Sequence, residues 1–291
     1  MKPPSFKYFA AQSVEEAVSL LAEHGDDARV LAGGQSLIQE MNVRQTKPQV
    51  LIDVNPIDEL SFAHSENGSL AIGALTRTVT IEQDATIAER LPMLVEAAAR
   101  VGHVAVRNRG TVGGNVAHAD PSSNLPPVML ALEAEFTVQS SDGERDISAD
   151  DFFQGPHQTS IGPTEFLTGI RVTGLPENSG SVFMEVSRRG RGWGLCGVAA
   201  MVTLDDDGRI SDVRLGLLGV GPTAIRPREA EAGIRGERAS EEVWSAAANR
   251  VVSALEDPPS DIHASADYRR HLANVLTRRA LAAATARAEG R

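Results

Sequence analysis

Two short stretches hold the residue types and spacing that could do chemistry in this chain. In the first, LAGGQSLI, the residues Ala32, Gly33, Gly34, Gln35, Ser36 and Leu37 break an apolar run. In the second, TVGGNVAHADP, the residues Thr111, Val112, Gly113, Gly114 and Asn115 repeat the pattern about eighty positions later. Glycine lets the backbone take positive φ and brings its N–H groups close to a ligand, because no Cβ stands in the way. Several N–H groups converging on one point suit a diphosphate, whose negative charges lie close together. A helical segment follows the first pair, so its N-terminal amides add favourable partial charge. Gln35, Ser36 and Asn115 offer side-chain hydrogen bonds. One Gly-Gly pair alone reads as a tight turn; two matching loops read as two sides of one grip.

Other chemistry is poorly provided for. Cys196 is the single cysteine, which excludes an internal disulfide and any cysteine-ligated iron-sulfur or zinc site built by this chain alone. Among GLCGVAA it reads as a small buried hydrophobe. The seven histidines form no H-x-H or H-x-x-x-H pair, so no metal site is expected. Gly192, Gly194 and Gly197 spell G-x-G-x-x-G, but VAAMVTLDDDG continues as strand and hairpin, not as the helix that a dinucleotide fingerprint opens. No phosphate loop of the form G-x-x-x-x-G-K-S/T is present. His118 and Asp120, just before Pro121, read as residues that order a turn. Redox or hydrolytic chemistry must then come from an organic cofactor or from another subunit.

The loops need elements to position them. SVEEAVSLLAEHG predicts a helix with Ser13 and Glu16 as a capping box, an apolar face of Val14, Ala17, Val18 and Leu21, and Gly25 as its stop. ARVLA predicts a strand that runs into Gly33, and PQVLIDV another after a short helix, so strand and helix alternate in the N-terminal third. SLAIGALT predicts a strand, TIEQDATIAERLPMLVEAAARVGH two helical pieces broken near Pro92, and LPPVMLALEA a short helix or turn. EFTVQSSDGERDIS predicts a hairpin around Asp142 and Gly143, and EFLTGIRV a strand. GLPENSG, 174–180, is the candidate linker. Beyond it, three strands with a hairpin at Asp207 and Gly208 precede two long helical patterns, which predicts a small, separate α+β domain.

With 291 residues, 42 % hydrophobic and 23 % charged, the chain has the length for two domains and an ordinary folded composition. Its 28 Lys and Arg against 39 Asp and Glu leave a formal charge of −11, which repels a phosphate backbone, so no nucleic-acid partner is expected. No apolar run approaches a membrane span, and MKPPSFKYFAAQ lacks the apolar core of a signal peptide; the expected location is cytoplasmic.

LAGGQSLI, IGALT, RNRGTVGGNVAHADPSSNLPPVMLAL and VSRRGRGW together resemble, over essentially the whole chain, the FAD-binding medium subunit of molybdenum hydroxylases, the flavoprotein of the carbon monoxide dehydrogenase and xanthine dehydrogenase family. The resemblance implies an α+β, PCMH-type FAD-binding fold related to vanillyl-alcohol oxidase over residues 1–175, with subdomains of about 1–55 and 56–175. The family's small C-terminal domain, a three-stranded antiparallel sheet with helices, would follow over 181–285. It also implies that both glycine loops, Ala32 to Leu37 and Thr111 to Asn115, hold the pyrophosphate and ribityl chain. Val101 and Leu167 match positions near the flavin; both are apolar and suit core packing equally well. Trp193 matches the aromatic that covers one face of the isoalloxazine, against the ordinary reading of a core or interface tryptophan.

Two departures from the family pattern stand out. Asn124 occupies a place where relatives usually carry an Asp that accepts a hydrogen bond from the cofactor; Asn keeps an acceptor but loses the charge, so binding is expected to persist with weaker anchoring. The pattern R-R-x-G-D-aromatic appears as Arg188, Arg189, Gly190, Arg191, Gly192 and Trp193, without the Asp. The implied role is an FAD-carrying electron-transfer subunit. It would take electrons from the 2Fe-2S clusters of a small subunit and pass them to a quinone, NAD or another acceptor, while a large subunit with the molybdenum cofactor oxidises the substrate. The partners would form a heterotrimer, possible as a pair of heterotrimers. The alternatives are a free-standing flavin oxidase or dehydrogenase of the same superfamily and a non-catalytic FAD or nucleotide-binding module.

Overall fold

The computed structural model describes residues 2–66, 68–190 and 192–290; Arg191, part of the arginine-rich run above, lies outside them. Three sheets organise the chain. The first helix, α1 (Val14–His24), starts as its sequence predicts: the Ser13 hydroxyl accepts the Glu16 N–H at 3.2 Å, and the Glu16 carboxylate accepts the Gln12 N–H at 2.7 Å. Its buried Ala17, Val18 and Leu21 share a core with a parallel sheet of β1 (Lys7–Ala10), β2 (Ala28–Leu31) and β3 (Val50–Asp53), ordered β1-β3-β2. Between β2 and β3 lie the first glycine loop and α2 (Leu37–Val43).

The second sheet is antiparallel. Its strands are β4 (Ala63–Glu66), β5 (Ser69–Gly73), β6 (Glu135–Ser140), β7 (Gly143–Ser148) and, after the short pair β8 (Phe153–Gly155) and β9 (Gln158–Thr159), β10 (Phe166–Thr173). They run in the order β4-β5-β10-β6-β7. Between β5 and β6 comes a set of short helices: α3 (Thr78–Gln83), α4 (Ala85–Arg90), α5 (Pro92–Ala98), α6 (Val104–Arg109), α7 (Val112–His118) and α8 (Leu125–Ala131); α9 (Ala149–Phe152) follows β7. The segment before Val101 therefore forms three helical pieces, not the two expected. Pro92 opens α5, and a further break falls at Asp84, whose carboxylate accepts the N–H groups of Thr86 and Ile87 and caps α4. A side chain that satisfies two orphan amides makes a new helix start competitive with continuation.

The chain crosses from β10 to β11 (Ser179–Ser187) through residues 174–178, so the last two positions of the candidate linker already belong to a strand. With β12 (Gly194–Leu204) and β13 (Ile210–Leu218), β11 forms an antiparallel sheet ordered β11-β12-β13, and Gly208 takes φ +72° in the hairpin. After α10 (Arg228–Ala232), the two long patterns become α11 (Glu241–Ser253) and α12 (Ala266–Ala288). All eleven residues of β12 are buried, because helices cover both faces of this sheet: α12 packs on one and α8 on the other. Gly216 sits against the Pro127 carbonyl, where a Cβ would clash. The Glu96 carboxylate accepts the Phe183 N–H at 2.7 Å and pairs with Arg287 at 2.6 Å. The C-terminal sheet is thus tied to α5 and α8, the helices that flank the second glycine loop in sequence.

Candidate cofactor-binding site

The first loop leaves its amides free. Gly34 takes φ +69°, which turns the chain out of β2, and Gly33 is buried. Among the described residues, the backbone N–H groups of Gly33, Gly34, Gln35 and Ser36 donate to no group of the chain. Ser36 occupies the N-cap of α2 yet makes no side-chain cap bond, so its hydroxyl is also available. Unsatisfied backbone donors beside a helix start are costly unless something accepts them, and an anion does so best. Within the loop, the Gln35 Nε2 donates back to the Gly33 carbonyl at 3.2 Å.

The second loop differs, and it corrects the expectation that both loops present amides. The Val112 N–H donates to the Thr76 carbonyl (2.9 Å), Gly113 to the Ala74 carbonyl (3.0 Å), Gly114 to the Thr111 hydroxyl (3.0 Å) and Asn115 to the Thr111 carbonyl (3.0 Å). These donors are consumed in starting α7 and in tying it to the end of β5. The glycines serve contact instead. A Cβ on the buried Gly113 would lie 2.6 Å from the Ala74 Cβ, and one on the exposed Gly114 would lie 2.7 Å from the Thr111 hydroxyl that caps α7 and 3.9 Å from the Ala32 Cβ.

The two loops touch. Gly33 lies on the Arg109 carbonyl and on Gly110, two residues ahead of the second loop, leaving no room for a side chain. Beyond the loops, Glu40 of α2 and His118 of α7 approach to 3.5 Å, and the His118 ring packs on His157 at 4.7 Å. Burial pushes the His118 pKa down, opposed by the Glu40 carboxylate. Asp120 does order the turn before α8: its carboxylate accepts from the Ser122 N–H at 2.8 Å and hydroxyl at 2.7 Å.

Asn124 joins this neighbourhood. Its neighbour Ser123 donates to the Asn115 Oδ1 at 3.0 Å, and its own Nδ2 donates to the Glu185 carboxylate at 2.7 Å. Glu185 comes from β11, and one of its oxygens is buried without a partner. Burial raises its pKa, with Asn124 and Arg100 opposing. Leu167 lies in the core of the second sheet and Val101 packs against the same core. A relay links that strand to the second loop: the Ala74 N–H donates to Thr168, next to Leu167, while the Ala74 carbonyl accepts from Gly113. Trp193 is 75 % exposed, which excludes a core role within this chain. Among the described residues Trp193 makes no hydrogen bond or ring contact with either loop. Gly194 and Gly197 lie inside β12, so the G-x-G-x-x-G run opens no helix. Cys196 is buried and its thiol is pushed up to about 12 by desolvation, leaving it inert as a nucleophile.

The motifs did not single out Asn55 and Arg77, which bond to Ala32 and to Arg109 behind the loops, nor Glu40 and Glu185, which meet His118 and Asn124. Arg77, a cation directly after IGALT, was the one visible signal.

The comparisons agree with this geometry. A family model described as the FAD binding domain in molybdopterin dehydrogenase matches residues 4–173, and one described as the CO dehydrogenase flavoprotein C-terminal domain matches residues 181–284. The chain belongs to this family of FAD-binding subunits of molybdenum hydroxylases, which are oxidoreductases. It is 44 % identical, over 99 % of its length and 97 % of the relative's, to the 6-hydroxypseudooxynicotine dehydrogenase complex subunit alpha of Paenarthrobacter nicotinovorans. A structure of carbon monoxide dehydrogenase from Hydrogenophaga pseudoflava superposes with a TM-score of 0.95 at 38 % identity, covering 99 % of each chain. Quinoline 2-oxidoreductase from Pseudomonas putida 86 gives 0.92 at 35 % identity, covering 100 % of this chain and 99 % of that one. The row of free amides in the first loop fits the diphosphate of FAD. Among the described residues no helix is long and apolar enough to cross a membrane, and no three His, Cys, Asp or Glu cluster as metal ligands.

Proposed function

We propose that this chain is the electron-transferring FAD subunit of a molybdenum hydroxylase complex. It would receive electrons from the 2Fe-2S clusters of a small subunit and deliver them to an external acceptor such as a quinone or NAD, while a large molybdenum-containing subunit oxidises the substrate. When bound, FAD accepts electrons singly and releases them in pairs. The protein's part is to bind and position it. The observation that carries this reading is the row of N–H groups at Gly33, Gly34, Gln35 and Ser36 that find no acceptor among the described residues, with the exposed Gly114 beside Ala32 of the same loop. On this reading the first loop, Ala32 to Leu37, holds the diphosphate by its amides and the Ser36 hydroxyl. Thr111 to Asn115 close the other side by contact and through the Asn115 amide. Asn124 offers its oxygen to the cofactor, Val101 and Leu167 wall the flavin, and Trp193 covers its open face. The FAD-binding domain spans residues 1–175 and the C-terminal domain 181–285, with the complex in the cytoplasm.

The single cysteine supports a division of labour, since this chain cannot ligate an iron-sulfur cluster by itself. The relatives support it too: their names concern substrates as unlike as 6-hydroxypseudooxynicotine, carbon monoxide and quinoline, while the chain matches nearly their full length. Substrate choice would then reside on another polypeptide. The test is co-expression with the neighbouring genes for a large and a cysteine-rich small subunit, followed by isolation through a tag on this chain. We expect a yellow complex containing molybdenum, iron and FAD, whose flavin absorbance bleaches on adding substrate. A flavin that bleaches with the chain alone would instead favour a free-standing flavin enzyme, and a colourless chain would remove the reading.

A further inference from the structure

The two glycine loops belong to different cores: the first ends a strand of the parallel sheet, and the second starts a helix packed on the antiparallel sheet. Something must set the gap between them. Behind the loops runs a continuous line of hydrogen bonds outside both motifs. The Asn55 Nδ2 donates to the Ala32 carbonyl at 2.7 Å and to Asp53 Oδ1 at 2.6 Å, gripping the first loop from its back. The Asn55 Oδ1 accepts from one Arg77 nitrogen at 2.8 Å, and the other nitrogen donates to the Arg109 carbonyl at 2.6 Å. That carbonyl is the surface on which Gly33 rests. The outer end is anchored as well, since the Tyr8 hydroxyl donates to Asp53 Oδ2 at 2.6 Å. Arginine donates only, so its bond to Asn55 fixes which end of that amide is oxygen and turns the NH2 toward the loop.

We propose that Asn55 and Arg77 are positioning residues for the cofactor, setting the separation of the two glycine loops before FAD arrives so that the free amides meet a gap already of the right width. This rests on the reading of the loops as the FAD site. The fork of arginine is what the place demands, because two acceptors on different subdomains must be held at once. Lysine offers one point charge and cannot reproduce that geometry. With the line broken, the binding-ready arrangement becomes one of several, and apparent affinity falls by the fraction of time it is populated.

The test uses the full chain freed of FAD, titrated with FAD by flavin fluorescence, and the melting temperature of the FAD-free protein. Arg77→Lys and Asn55→Ala are each expected to weaken FAD binding by about 10- to 100-fold, the scale of a lost charge-assisted hydrogen bond. The melting temperature without FAD should stay within about 4 °C of the wild type's. The double variant should bind no worse than the weaker single one, because both break the same line. Tyr8→Phe, at the outer end, should lose less than either. Should Asn55→Ala fail to fold, Asn55→Ser carries the same comparison. Wild-type affinity in both single variants would overturn the positioning role while leaving the FAD reading intact; so would losses that simply add in the double variant. Failure of the wild-type chain itself to bind FAD would instead strike at the reading beneath.

Discussion

The two glycine loops look alike as sequence and do different physical work. In the first, Gly34 sits at φ +69° and four successive N–H groups find no acceptor among the described residues. In the second, every amide from Val112 to Asn115 is spent within the fold, and Gly113 is there because Ala74 occupies the space a side chain would need. A Gly-Gly pair therefore marks a close approach of backbone. Whether the thing approached is a ligand or another piece of the same chain depends on where the neighbouring hydrogen bonds go.

The sharpest way to break this contrast is to put a side chain into each second-loop glycine. Gly113→Val should destabilise the chain by about 3 kcal/mol, since the added atoms would overlap the Ala74 backbone and overpacking of this kind has no cheap relief. Thermal unfolding of the FAD-free protein measures it. Gly114→Asp, on the exposed side, would displace the Thr111 hydroxyl from its cap at a cost of about 1 kcal/mol, yet should leave a folded protein that purifies without flavin, because it sets an anion against the diphosphate. Full FAD content in that variant would refute the placing of the diphosphate between the loops.

Subtler hydroxyl deletions separate the loops further. Thr111 caps α7 through its bond to Gly114, so Thr111→Ala should cost about 1 kcal/mol of stability. Ser36 makes no such bond, so Ser36→Ala should leave the FAD-free melting temperature unchanged while lowering FAD affinity about three- to tenfold. Equal effects of the two on melting would erase the distinction.

The smallest effect concerns pH. Burial raises the Glu185 pKa above the ordinary 4.5. A carboxyl with a raised folded pKa contributes stability that is present below its unfolded pKa and lost as pH rises through the folded one. Relative to wild type, Glu185→Gln should therefore gain stability as pH rises from the ordinary 4.5 through the raised folded pKa and then level off, read as the difference between the melting temperatures of the two proteins against pH. A difference that is flat with pH would mean that the carboxyl titrates normally beside Asn124.

Much of the fold was legible in the sequence because its signals are local. The box around Ser13 and Glu16, the break at Pro92 and the turns at Asp142-Gly143 and Asp207-Gly208 each depend on residues within a few positions of one another. The miss at Asp84 is instructive, for the apolar periodicity runs straight through it and only the cap geometry ends the helix there. Within the site, the resemblance picked out the loops, yet it carried no information about which amides were free. Asn124 is the intermediate case. Its departure from the family pattern was visible at once, while its partner Glu185 lies 61 residues away on β11 of the C-terminal sheet.

By itself, then, the sequence determined where the first helix begins, the break at Pro92 and the hairpin turns, that the chain is a member of the FAD-binding subunit family and that it cannot build a cluster with one cysteine. Those properties follow from neighbouring residues, from motif order or from composition. The tertiary structure alone decided that, among the described residues, the N–H groups of Gly33 to Ser36 find no acceptor while those of Val112 to Asn115 do, and that Arg77 and Asn55 stand between the loops. The reason is physical: a hydrogen bond is settled by which acceptor comes within about 3 Å after the sheets have packed, and no local pattern encodes that distance.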